Sequence, residues 1–183
     1  MKLVLHIVFL LLISTQQLST QLCAEEMIIG RESVDPGIDI IFEGAPKDTV
    51  LPKQHHLEES STDIHIEMLA NWSENNTHGA PAGGFIAYLQ VSAIITNQKT
   101  QQTLTTELTP HINLTDNLHY AKNIQLPGET DDLYSVVFNI KPPKANELGI
   151  HHDWYHKVGK LIKSSTFSYK NLSFDKISKQ LRR

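Results

Sequence analysis

Residues 63–67 read Asp-Ile-His-Ile-Glu and residues 111–120 read His-Ile-Asn-Leu-Thr-Asp-Asn-Leu-His-Tyr. Imidazole is the commonest protein ligand for zinc, copper and iron, and a carboxylate adds hardness and negative charge. In a β-strand His65 and Glu67 leave the same face about 6.6 Å apart, at ~3.3 Å per residue, so both can reach one ion. His111 and His119 flank a turn-rich segment, residues 113–117, that can fold the chain back and bring the two rings together. His152 follows Gly149 in a loop after Pro142-Pro143, a place suited to closing a site. The chemistry these groups share is the binding of a transition-metal ion.

The elements that position them are strands. Ile64, Ile66, Met68, Ala70 and Trp72 fall on one face by the period of two, which puts Asp63, His65 and Glu67 on the other. Residues 85–96 are apolar and β-branched enough for one long central strand. Residues 97–100 make a turn into a Thr-rich strand over residues 102–108, forming a hairpin. Tyr134, Val136, Phe138 and Ile140 alternate with polar or smaller neighbours until Pro142-Pro143, which cannot donate to a ladder. Residues 166–174 close the set, and residues 73–84 form the longest irregular stretch. Short strands separated by turn residues predict an all-β, immunoglobulin-like antiparallel β-sandwich.

Lys2, an apolar run over residues 3–13 and the Leu22-Cys23-Ala24 sequence predict a secretory signal peptide spanning residues 1–24. Residues 25–183 then form a single domain large enough for its own core. Lipidation of Cys23 is the alternative, and Leu22, where a small residue normally stands, argues against it. Cys23 is the only cysteine, so cleavage after Ala24 removes disulfides and thiolate metal ligands together. The apolar run is too short to span a bilayer and nothing later is longer. The net charge is −4 and the only basic cluster is the tail at residues 179–183, which argues against nucleic acid and anionic membranes as partners. The Asn-x-Ser/Thr sequons at Asn71, Asn75, Asn113 and Asn171 carry no meaning in the bacterial periplasm, the compartment we expect.

His55, His56, His78 and His156 receive no role from spacing, since a lone histidine is more often a surface or satisfied core residue than a ligand. Trp72, Phe85 and Tyr88 read as core and Asp63 as a solvated strand residue.

Residues 62–67, 84–89, Asn97, Pro110, residues 116–124 and Lys141-Pro142-Pro143 before Gly149 stand in an order that resembles the bacterial periplasmic ferrous-iron transport proteins. The resemblance runs from about Ile38 to the C-terminus, and its specific blocks surround His65-Glu67 and His119-Tyr120. It implies an immunoglobulin-like sandwich that forms a homodimer, binds copper or iron near the subunit interface and serves an inner-membrane iron permease. It also implies His65, Glu67 and His119 as ligands, with His152, or else His151, as the later loop ligand. Pro110-His111 stands where the family pattern has a methionine after proline, and the interval to His119 is one residue longer. Exchange of a thioether for an imidazole weakens a cuprous preference and suits Cu2+, Zn2+ or Fe2+.

The function expected from these residues is metal capture and handover, not turnover: Fe2+ carried to a permease, Cu2+ as a second ion and Zn2+ as a surrogate. A periplasmic copper chaperone or resistance protein is the alternative on the same site. A plain immunoglobulin-like interaction module is another. An enzyme is not expected, because no His-Glu-x-x-His or nucleophile motif is present.

Overall fold

A computed structural model describes residues 26–180. The signal segment expected over residues 1–24, with Cys23, lies outside the described residues. Among the described residues no helix is long and apolar enough to cross a membrane.

The alternating apolar residues build an antiparallel sandwich of eight strands: β1 Met27–Val34, β2 Ile38–Ala45, β3 Ile64–Trp72, β4 Gln90–Asn97, β5 Thr103–Asn113, β6 Asn117–Ile124, β7 Leu133–Lys141 and β8 Ser165–Ser173. Their order is β1-β2-β3-β6-β5-β4-β7-β8. The all-β fold is the one the alternation predicts. One layer turns Ile38, Ile40, Phe42, Ile64, Ile66 and Met68 inward, and the other opposes them with Val91, Ile95, Val136, Phe138 and Ile140, all buried. Phe42 and Phe138 stack across the core with ring centroids 4.2 Å apart. Burial of such side chains is the main term holding the layers together, roughly 1.5–3 kcal/mol each.

β5 belongs to both layers. Residues 103–108 pair with β4, whereas residues 109–113 pair with β6. The Thr-rich strand therefore continues past residue 108 through Pro110 and His111, because it finds a second partner where the first ends. On the far side the sandwich nearly closes, with Tyr169 of β8 donating its hydroxyl hydrogen to Glu32 of β1 at 2.8 Å. A Cβ on Gly30 would overlap the Tyr169 ring, which explains a glycine inside β1.

Three expectations change. The central strand begins at Gln90, not at residue 85, because the buried Tyr120 hydroxyl donates to the carbonyl of Ile86 (2.7 Å) and accepts from the amide of Leu89 (2.9 Å). Those groups are thereby taken out of any ladder, and the irregular stretch extends from Ser73 to Leu89, with exposed Tyr88 at φ 65° and not in the core. The first two strands, unread in the sequence, extend the layer that carries His65, β2 pairing directly with β3. His152 opens a short helix, α1 His152–Lys157, instead of lying in a loop.

Candidate metal centre

β3 sends Ile64, Ile66 and Met68 into the core, so His65 and Glu67 emerge on the outer face of the same layer. That face is not open to solvent: His65 is 2 % exposed, Glu67 0 % and His119 1 %. Residues 46–63, which connect β2 to β3, cross over it.

The register brings the rest. In the β5–β6 hairpin His111 is directly opposite His119. β3 places His65 opposite Asn123 and Glu67 opposite Ala121, and β2 places Glu43 opposite Glu67. The hairpin turn is built by Asn113, whose side-chain oxygen accepts the amides of Thr115 (2.9 Å) and Asp116 (2.6 Å) and whose amide donates to the Asp116 carboxylate at 2.7 Å. Asn117 returns to the ladder at φ 58°, a conformation asparagine tolerates.

His65, His111 and His119 each offer a nitrogen, and these atoms lie within 4.8 Å of one another. His65 Nε2 is 3.6 Å and His119 Nε2 4.0 Å from Glu67 Oε1. The hydrogen bonds assign the proton positions. Asn123 donates its amide hydrogens to the carbonyls of Asp48 (2.8 Å) and Leu57 (3.0 Å). Its oxygen therefore faces His65 Nδ1 at 2.6 Å as an acceptor, which puts a hydrogen on Nδ1 and, in the neutral imidazole that ligates, the lone pair on Nε2. His119 Nδ1 lies 3.0 Å from the Asn117 carbonyl, which can only accept, so its Nε2 also carries a lone pair. Both lone pairs belong to the nitrogens nearest Glu67. His111 Nδ1 is 3.3 Å from His65 Nε2 and donates to it. Ligation through Nδ1 requires that proton to move to Nε2, which has the Thr109 hydroxyl as partner at 3.3 Å.

Burial pushes the His111 imidazole down to about 4, helped by His56, His119 and Lys122. His111 is accordingly neutral, the form that ligates, throughout the neutral range.

A second group adjoins the first through Glu67. Glu26, Glu67 and Asp116 bring carboxylate oxygens within 4.8 Å of one another. Burial, followed by the charge and hydrogen bond of Glu26 and then by Asp116, raises the carboxyl of neighbouring Glu43 to about 7, against the opposing pull of Arg31. Near neutral pH the Glu43 carboxyl is therefore still partly protonated, and a divalent cation bound beside it can displace that proton.

The site is approached through a cleft of about 620 Å³ whose walls include Asp48, His55, His56, His65, His111 and His119. Of the histidines without a role from spacing, His56 packs edge-on against His111, ring centroids 5.0 Å apart. His152 is not brought to this group. It is exposed on α1, its ring 4.1 Å from that of His156, and α1 leans through Trp154 on Trp72 and His78. His151 caps that helix, its carbonyl accepting from Tyr155. Asp63 is engaged by the amide of Leu126 at 2.8 Å.

Glu26, Glu43, Asn123 and Thr109 received no role from spacing, and Asp116 only one as a turn residue. The available signal was β-parity: Ile40 and Phe42 face the core, so Glu43 does not, and His65 aligned against Asn123 once β6 was recognised as its partner.

Residues 23–175 match the family model described as Fe2+ transport protein. The chain belongs to the Fe2+ transport protein family. Among curated relatives, the UPF0423 proteins of Brucella abortus (strain 2308) and Brucella suis biovar 1 are each 26 % identical over 149 residues, covering 80 % of both chains. Among solved structures, FetP of uropathogenic Escherichia coli strain F11 superposes with TM-score 0.67 and 25 % identity, over 80 % of this chain and 95 % of its own. Copper-reconstituted P19 of Campylobacter jejuni gives TM-score 0.69 and 26 % identity over 80 % and 94 %. A copper-bound variant of P19 gives 0.69 and 27 % over 80 % and 96 %. The Fe2+ transport family thus accounts for nearly the whole described sandwich.

Proposed function

We propose that this protein is a periplasmic carrier that captures Fe2+ and Cu2+ at His65, Glu67, His111 and His119 and presents iron to an inner-membrane permease. The observation that carries the reading is the convergence of three imidazole nitrogens and Glu67 on one buried spot in a member of the Fe2+ transport protein family. The two groups suit two ions. Imidazoles with a carboxylate favour Cu2+, and the oxygen donors of Glu26, Glu67 and Asp116 favour harder Fe2+. Copper bound in P19 supports the first, and the family's iron transport supports the second.

The resemblance implies a homodimer with His152, or else His151, as a ligand; because α1 lies away from the histidine group of its own chain, we propose that in this homodimer His152 reaches the site of the partner subunit. Zn2+ is a usable surrogate for the same donors. The alternative of a copper chaperone without an iron role is favoured by the copper-bound neighbours. It is opposed by His111, which puts an imidazole where a thioether would hold Cu+.

The test is a comparison of melting temperatures with and without Fe2+ under anaerobic conditions, Cu2+ and Zn2+. Ions bound only by the folded state must raise the transition. A rise with Fe2+ and Cu2+ that Glu67→Gln reduces supports the carrier reading. Copper alone acting favours the chaperone, and no shift with any ion favours a plain interaction sandwich.

A further inference from the structure

The connection from β2 to β3 carries His55 and His56 across the mouth of the cleft, and the strand that supplies His119 holds it there. Asn123 donates to the carbonyls of Asp48 and Leu57, and Lys122 Nζ donates to the carbonyl of His55 at 3.1 Å. His56 is thereby fixed edge-on to His111, with an interplanar angle of 84°. The separation of these two rings, 5.0 Å, is smaller than any within the inner group, where the centroids are 5.2, 6.0 and 6.3 Å apart. His56 Nδ1 is also shielded from solvent and makes no hydrogen bond to the described residues. A polar nitrogen in that state has lost its water without compensation, a cost that a coordinated cation removes.

We propose that His56 and His111 form an outer metal position, from which a divalent cation passes to His65, Glu67 and His119 by exchange of ligands at His111. This rests on the reading that the inner group is the metal site. His111 is suited to both positions, since its Nδ1 lies 3.3 Å from His65 Nε2 while its ring packs against His56. A hydrated ion approaching the inner group directly would shed water before gaining protein ligands. An imidazole pair at the mouth supplies replacements one at a time, and the ion stays coordinated throughout. The step is ligand substitution only: two imidazole nitrogens displace two waters, then the nitrogens of His65 and His119 and an oxygen of Glu67 displace the nitrogen of His56 and two further waters while His111 stays bound, with no change of oxidation state.

The experiment is stopped-flow loading of the signal-free protein with Cu2+ supplied as a weak glycine complex, followed by release to a strong chelator. Wild type is compared with His56→Ala, with His55→Ala as a control for disturbance of the same connection. A transit position accelerates loading and release alike. In His56→Ala both rates should fall together by about tenfold, the low end of what loss of a group beside a metal site costs, with equilibrium affinity unchanged and His55→Ala matching wild type. Unchanged rates overturn the proposal. A faster release with weakened affinity overturns it in favour of a covering role for the connection. Failure of the underlying reading is separately visible: wild type then takes up no copper, or takes it up equally well after His65→Ala.

Discussion

His65 Nδ1 lies 2.6 Å from the side-chain oxygen of Asn123, while the amide of Asn123 is spent on the carbonyls of Asp48 and Leu57. One asparagine therefore fixes the histidine's tautomer and ties down the segment that covers it. Asn123→Ala should weaken Cu2+ binding by about 10- to 100-fold. It should also destabilise the metal-free protein by about 1–3 kcal/mol, because buried polar groups lose their partners. Calorimetric titration and urea denaturation check the two parts, and unchanged affinity would remove Asn123 from the account.

Ala121 lies opposite Glu67 on β6, fully buried, between His119 and Asn123. Its small side chain leaves the room over which the two Nε2 atoms converge. Ala121→Leu should fold, since the inner core residues are untouched, yet lose stoichiometric Cu2+ binding. Circular dichroism alongside metal titration tests this, and retained binding would show that the ion sits elsewhere.

Acid should act on the metal-free protein in two opposed ways. His111 is held down to about 4 by burial, so the unfolded chain, with an ordinary histidine near 6.5, binds more protons between those values. The stability contribution is complete above about 6.5 and is lost as pH falls toward 4. Glu43, raised to about 7 mainly by burial and Glu26, works the other way. Between about 4.5 and 7 the folded form binds more protons, and stability falls as pH rises through that window. Glu43→Gln should therefore steepen the rise of stability from pH 4.5 to 7, and His111→Asn should flatten it, as read by denaturation midpoints across that range. The same substitution at Glu43 should reduce the protons released when a divalent cation binds near pH 6.5, measured by calorimetry in buffers of different ionisation enthalpy.

His111→Met places a thioether, the group that the resemblance implies after Pro110, beside His65 and His119. It should increase the affinity for Cu+ and decrease that for Cu2+, shifting the ratio toward the softer ion. Competition against a cuprous chelator under anaerobic conditions provides the readout. An unchanged ratio would mean that His111 does not contact copper.

How much of this was legible in the sequence depends on whether local alternation or long-range pairing decided it. His65 and Glu67 could be placed on one face because a strand's period is fixed by backbone geometry. The turn at residues 113–117 announced the approach of His111 to His119 through its asparagines. The position of His56 could not be read, because it depends on hydrogen bonds from Lys122 and Asn123, more than fifty residues away in the chain. Glu26 and Glu43 were hidden for a different reason: β1 and β2 went unrecognised, and without β2 nothing pointed Glu43 at Glu67. The long strand expected from residue 85 failed because Tyr120 claims the backbone of residues 86 and 89, a tertiary bond that β-propensity does not contain.

The metal centre is tested most directly by anaerobic titration of the chain from residue 25 onward with Fe2+ and with Cu2+, repeated for His65→Ala and His119→Ala. Wild type should bind Cu2+ saturably and stoichiometrically, both substitutions should abolish that binding, and Glu67→Gln should weaken the binding of Fe2+. Copper binding that survives the loss of both histidines, or the absence of binding to wild type, would contradict a metal centre at these residues.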